Sequence, residues 1–182
     1  METQNHRNRL LELIKKEAVF KGDYTLSSGK KSGYYIDLRL ITLSPEGAYL
    51  IATILFDELK EEKIDAIGGL TLGADPIASA YAAISFMRGK PASAFIIRKE
   101  EKKHGKAKLI EGPLKKGARV VIVDDVATSG GSMVKAIDAV EKEGCKVVKV
   151  ICLVDRNEGA SSELAKRGYS LFALYNLNDL GV

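Results

Sequence analysis

A chain of 182 residues, 46% hydrophobic and 29% charged, has the size and make-up of one soluble domain with a sizeable core. Its net charge of +4 equals the excess of six bases over two acids in the run RKEEKKHGKAK (98–108). Nucleic-acid binders spread their charge along a face, so a single patch points to a small polyanionic ligand instead. No apolar run approaches the roughly 18 residues of a membrane span, and METQNHRNRLLELIKKEAVF lacks the features of a signal peptide. The expectation is a cytoplasmic protein with neither nucleic acid nor membrane as partner.

The N-terminal stretch predicts an amphipathic helix with Leu10, Leu13 and Ile14 on one face. Two short strand-like pieces follow, around Tyr24–Leu26 and Tyr34–Leu38. A helix then opens at Ser44-Pro45 and runs to about Leu59. From Ile64 onward, short apolar runs alternate with helix-length segments. The strands are IDAIGG (64–69), ASAFII (92–97), ARVVIVD (118–124), KVVKVICLV (146–154) and SLFALY (170–175), several of them continuously apolar, as strands buried on both faces are. Between them lie a helix capped by Asp75 with Pro76 at its first position, one from Gly130 to Glu143 stopped by Gly144, and a shorter one over Ala160–Lys166. This alternation predicts an α/β fold with a central, mostly parallel five-stranded sheet flanked by helices. Residues 1–60 form a small hood over one end and 61–182 the core of a single domain. Cys145 and Cys152 match no metal spacing and read as small apolar residues, with no disulfide expected.

Ligands of such sheets bind beyond the carboxyl ends of the strands. The run VVIVDDVATSGGS (120–132) there is a buried strand, two acids, small residues and a helix start. Thr128, Ser129, Gly130, Gly131 and Ser132 leave backbone N–H groups and hydroxyls free to converge, and the helix dipole favours an anion beside them. Adjacent carboxylates next to a phosphate cradle make sense if the ligand also presents hydroxyl donors. A phosphorylated sugar has both groups. The plain alternative is that the acids cap a helix and the glycines make a turn.

The motif resembles the signature of the type I phosphoribosyltransferases, which bind phosphoribosyl pyrophosphate (PRPP). The resemblance implies that fold, with Asp124 and Asp125 holding the ribose hydroxyls and Val126, Ala127, Thr128, Ser129, Gly130, Gly131 and Ser132 holding the 5-phosphate. Three further segments are similar to the orotate phosphoribosyltransferase family. RKEEKKHGKAKLIEGPL (98–114) looks like its mobile catalytic loop, with Arg98, Lys99, Lys102 and His104 at the positions that contact PRPP and its pyrophosphate. YTLSSGKKSGYYIDLR (24–39) looks like its base-binding segment, with Tyr35 and Ile36 lining the orotate pocket. DRNEG (155–159) puts Arg156 where the family binds the orotate carboxylate, beside Thr128. A bidentate Arg is the natural partner of a carboxylate on a planar base. GGLTLGAD (68–75) departs from one branch of the family, which has a lysine near Gly73, while another branch has one where Ser27 stands. A cis peptide near Thr71–Leu72 is implied in that loop.

The implied reaction transfers the 5-phosphoribosyl group from PRPP to orotate, giving orotidine 5'-monophosphate and pyrophosphate for UMP biosynthesis. It needs electrostatic stabilisation and alignment, not a protein nucleophile. Mg²⁺ is expected to bind through substrate oxygens and water, with no direct protein ligand. The resemblance also implies a homodimer whose loop reaches into the neighbouring site. Two competing readings are an enzyme of the same fold acting on a purine base or uracil, and a regulator that kept the PRPP site and lost catalysis.

Overall fold

The computed structural model describes residues 2–25, 31–100 and 108–182. Its elements in chain order are α1 (Glu2–Glu17), β1 (Val19–Thr25), β2 (Lys31–Ile36), α2 (Arg39–Thr42), α3 (Pro45–Leu59), β3 (Ala66–Leu70), α4 (Ala74–Met87) and β4 (Ser93–Ile97). Then come β5 (Ile110–Glu111), β6 (Arg119–Ala127), α5 (Gly131–Lys142), β7 (Lys146–Asp155), α6 (Ala160–Ala165), β8 (Leu171–Asn176) and α7 (Leu177–Leu180).

The main sheet has the order β5-β4-β3-β6-β7-β8. The five expected strands are all present and mutually parallel. Among the described residues a sixth joins them: β5 pairs antiparallel with β4 through Ile96↔Glu111 and Ile97↔Ile110. Two residues are too few to show any periodicity, and pairing alone defines this strand.

Period-two alternation along β6 divides the core. Val121 and Val123 join Ile151 and Leu153 of β7 in an apolar cluster with α1, α3 and α4. Val120 and Ile122 join Val150 and Cys152 on the other face, against Met133, Ile137 and Val140 of α5. Each strand is therefore buried on both sides, which accounts for its continuously apolar sequence. Cys145 and Cys152 are free and buried. Among the described residues, no helix is long and apolar enough to cross a membrane.

The α3 start matches expectation, with Ser44 accepting a hydrogen bond from the Gly47 N–H at 3.1 Å. The start of α4 differs. Gly73 is the N-cap, and Asp75 and Pro76 lie inside the first turn. The Asp75 carboxylate instead accepts from the Thr71 hydroxyl at 2.6 Å, and Pro76 sits where the helix has no need of an N–H. The Thr71–Leu72 bond is cis, as the resemblance implies. In the hood, β1 and β2 form an antiparallel hairpin that carries Tyr34 to Arg156, just beyond the carboxyl end of β7.

Candidate active site

The long central strand does not stop at Asp124 as expected. It continues to Ala127 because β7 runs alongside it to Asp155 and offers partners through Asp124↔Cys152, Val126↔Val154 and Ala127↔Asp155. The two acids are thus strand residues held by the ladder. Beyond it, the Arg156 N–H donates to the Ala127 carbonyl at 2.9 Å and the Ala160 N–H to the Thr128 carbonyl at 3.1 Å. These bonds join the loops after β6 and β7.

The glycines at the start of α5 serve that close approach. Gly130 has φ +83°, and a Cβ there would lie 3.1 Å from the Ala160 Cα, so only glycine suits both the backbone and the space. The Val134 N–H closes the first helical bond on the Gly130 carbonyl. The N–H groups of the preceding turn then have no intrahelical partner, and they carry the positive end of the dipole. Thr128, Ser129 and Gly130 form this turn, and Gly131 and Ser132 open α5.

Asp124 is 7% exposed. Its Oδ1 accepts from the Asp125 N–H at 3.0 Å and its Oδ2 from the Ser132 hydroxyl at 2.6 Å. Burial pushes its carboxyl up to about 7; the Ser132 hydroxyl pulls it down and the Asp125 charge pushes it further up. Asp125 is less covered and accepts from the Val126 N–H at 2.8 Å. Both acids lie against the turn before α4, since a Cβ on Gly73 would fall 2.4 Å from Asp124 Oδ1 and 2.6 Å from Asp125 Oδ1.

A cleft of about 290 Å³ opens over Asp125, lined by Ile36, Asp37, Leu38, Arg39, Leu72, Gly73, Lys99, Asp125 and Val126. Larger cavities occur on the surface, one of about 340 Å³ around Pro113–Ala118, but it lies at the amino ends of the strands and gathers no comparable chemistry.

Of the predicted basic residues, Lys99 lines the cleft. Arg98 is not among the lining residues; it pairs with Glu111 of β5 at 3.6 Å. Lys102 and His104 lie outside the described residues. Ile36 lines the cleft, whereas Tyr35 points to the exposed side of β2 and stacks near Tyr24, with ring centroids 5.6 Å apart. Strand alternation puts Tyr34 on the inner side instead. Its ring faces the Arg156 guanidinium at 5.2 Å. Arg156 is 9% exposed and is also held by Glu158, with Nε and Nη2 each 2.9 Å from Oε1.

Tyr34, Glu158 and Arg39 are therefore site residues that sequence reasoning missed. Arg39 forms a two-pronged pair with Asp37 at 2.8 and 2.9 Å, which holds the guanidinium firmly charged and lowers the Asp37 carboxyl. The Asp-Leu-Arg that follows Ile36 was the available signal.

Among the described residues, no group of three or more His, Cys, Asp and Glu could hold a metal ion. Asp125 does present a carboxylate to the cleft, an oxygen donor of the kind Mg²⁺ takes alongside substrate phosphates and water.

A mostly parallel sheet whose central strand β6 carries two acids into a glycine-opened helix defines a phosphoribosyl transferase domain, and the family of that description matches residues 41–171. The orotate phosphoribosyltransferase of Aquifex aeolicus is 46% identical over 177 residues, covering 96% of this chain and 97% of that protein. The Mycobacterium tuberculosis H37Rv orotate phosphoribosyltransferase, solved with Fe(III) dicitrate, superposes with a TM-score of 0.86 at 40% identity, covering 97% of this chain and 99% of that one. The same enzyme solved with PRPP gives a TM-score of 0.83 at 37% identity, with the same coverage. The chain belongs to the orotate phosphoribosyltransferase family.

Proposed function

We propose that the protein transfers the 5-phosphoribosyl group of PRPP to orotate, giving orotidine 5'-monophosphate and pyrophosphate in pyrimidine biosynthesis. The observation that carries the base assignment is Arg156, nine-tenths buried beside the phosphate-loop strand, with an aromatic ring over its face. With Glu158 on Nε and Nη2, the guanidinium's remaining N–H groups suit a base bearing a carboxylate better than a neutral purine or uracil.

Asp124 and Asp125 accept from the ribose hydroxyls, and the turn Thr128–Ser132 holds the 5-phosphate through its N–H groups, Val126 and Ala127 being ladder residues of β6. Thr128 and Arg156 take the orotate carboxylate side, with Ile36 and Tyr34 forming the pocket wall. Arg98, Lys99, Lys102 and His104 face the pyrophosphate. As the glycosidic bond breaks, positive charge develops on the sugar and negative charge on the leaving pyrophosphate. The acids stabilise the former and the lysines the latter. Mg²⁺ supplies charge neutralisation on the diphosphate.

The whole chain acts as one phosphoribosyltransferase domain in the cytoplasm, as a homodimer that shares the 98–114 loop. Exposed Leu40 and Leu43 at α2, Tyr49 of α3, and Phe86 and Met87 at the end of α4 are apolar side chains available to the second copy. The test is loss of orotate's ultraviolet absorbance on mixing protein, PRPP and Mg²⁺. Conversion that requires all three supports the reading. A folded protein that binds PRPP but leaves orotate unchanged, while consuming hypoxanthine, adenine or uracil, overturns it.

A further inference from the structure

The turn that presents Arg156 has more in it than the arginine. Asn157 adopts φ +54°, a conformation asparagine tolerates better than most residues. Its N–H is held by the Asp155 carboxylate at 2.9 Å. The chain therefore reverses within the turn, and the side chain of residue 158 comes back to that of residue 156.

A guanidinium offers a carboxylate two bidentate approaches, the side edge (Nε and Nη2) and the end edge (Nη1 and Nη2). Glu158 takes the side edge, with Oε1 receiving both Nε and Nη2 at 2.9 Å. Tyr34 covers one face, its ring centroid 5.2 Å from the guanidinium carbon, and its hydroxyl accepts from Nη2 at 3.4 Å. Among the described residues Nη1 makes no hydrogen bond. The one approach left for a planar ligand carboxylate is the end edge.

We infer that Glu158 is a positioning residue that reserves the side edge of Arg156, so that orotate's carboxylate is bound end-on in a single orientation beside the ribose. The inference rests on the orotate reading above. Its charge matters less than its acceptor oxygen. A glutamine at 158 can still receive Nε and Nη2 through its carbonyl, whereas an alanine leaves the guanidinium free to swing.

The expected result with Glu158→Ala is a rise of roughly tenfold in KM for orotate, the scale of ordering one rotamer-rich side chain. The KM for PRPP and the melting temperature should stay near wild type, and kcat at saturating orotate should fall much less than KM rises. Glu158→Gln should recover most of the orotate KM. Three results each overturn the inference: an unchanged orotate KM in Glu158→Ala, equal damage from the Gln and Ala variants, or parallel loss of PRPP affinity and melting temperature. Wild-type turnover of orotate, measured first, separates the two claims. If the wild type is inactive on orotate, both fall; if it is active, the variants bear on Glu158 alone.

Discussion

The Ser132 hydroxyl donates to Asp124 Oδ2 at 2.6 Å, tying the first turn of α5 to the acid strand. It partly offsets the burial that pushes the Asp124 carboxyl from 3.8 up to about 7. With the folded-state pKa raised, the folded protein keeps a proton between those two values that the unfolded chain has released. The stability this group contributes is complete below 3.8 and is lost as pH rises through about 7. Asp124→Asn cannot ionise and keeps an acceptor oxygen. Its melting temperature should therefore gain on wild type as pH rises from about 4 to about 8. A difference that does not vary with pH would show that Asp124 titrates normally.

Gly73 has an ordinary φ of −58°, so its role is steric. A Cβ there meets both acid carboxylates below 2.7 Å. Gly73→Ala should cost about 1–3 kcal/mol in stability, as overpacking does. It should also raise KM for PRPP more than KM for orotate, because the displaced groups are the proposed ribose acceptors. Steady-state kinetics with each substrate varied in turn checks this; equal effects on the two constants count against it.

How much of this could be read beforehand depends on where each contact comes from. β3, β4, β6, β7 and β8 were legible because burial on both faces leaves apolar runs, and the acid–glycine motif because all its parts are consecutive in sequence. α2 and α7, four residues each, and β5, two residues, are too short to show a period. Tyr34 meets Arg156 across 122 positions of chain, and no local pattern announces such a pair. The choice between Tyr34 and Tyr35 turns on strand phase, where a shift of one residue exchanges inner and outer faces.

Arg156→Lys keeps the charge and loses the planar fork. Orotate affinity should fall by about 1.5–3 kcal/mol, the scale of a charge-assisted hydrogen bond. PRPP affinity should hold, because Arg156 meets the phosphate loop only through its backbone N–H. Calorimetric titration of each substrate decides it, and unchanged orotate binding would remove Arg156 from the base site.

Lys102 stands in the family's catalytic loop by resemblance. Lys102→Ala should lower kcat by roughly a hundredfold or more, the loss of several kcal/mol of leaving-group stabilisation. Orotate binding should change little. A folded variant with wild-type kcat would take Lys102 off the catalytic residues.

Phe86 and Met87 are 75% and 77% exposed at the end of α4. If that surface receives the second copy, Phe86→Glu combined with Leu43→Glu should shift the protein to a monomer in sedimentation, with activity falling in step. A dimer undiminished by both charges places the contact elsewhere.

The ladder from Asp124↔Cys152 to Ala127↔Asp155, continued by the Arg156 N–H on the Ala127 carbonyl, makes the protein a caliper with fixed jaws. One jaw is the phosphate turn and the other is Arg156, and their separation is set by paired backbone, not by side-chain adjustment. Under the proposed function, ligands would be sorted by span: a phosphate at one end and a carboxylate at the other, one ribose and one small ring apart.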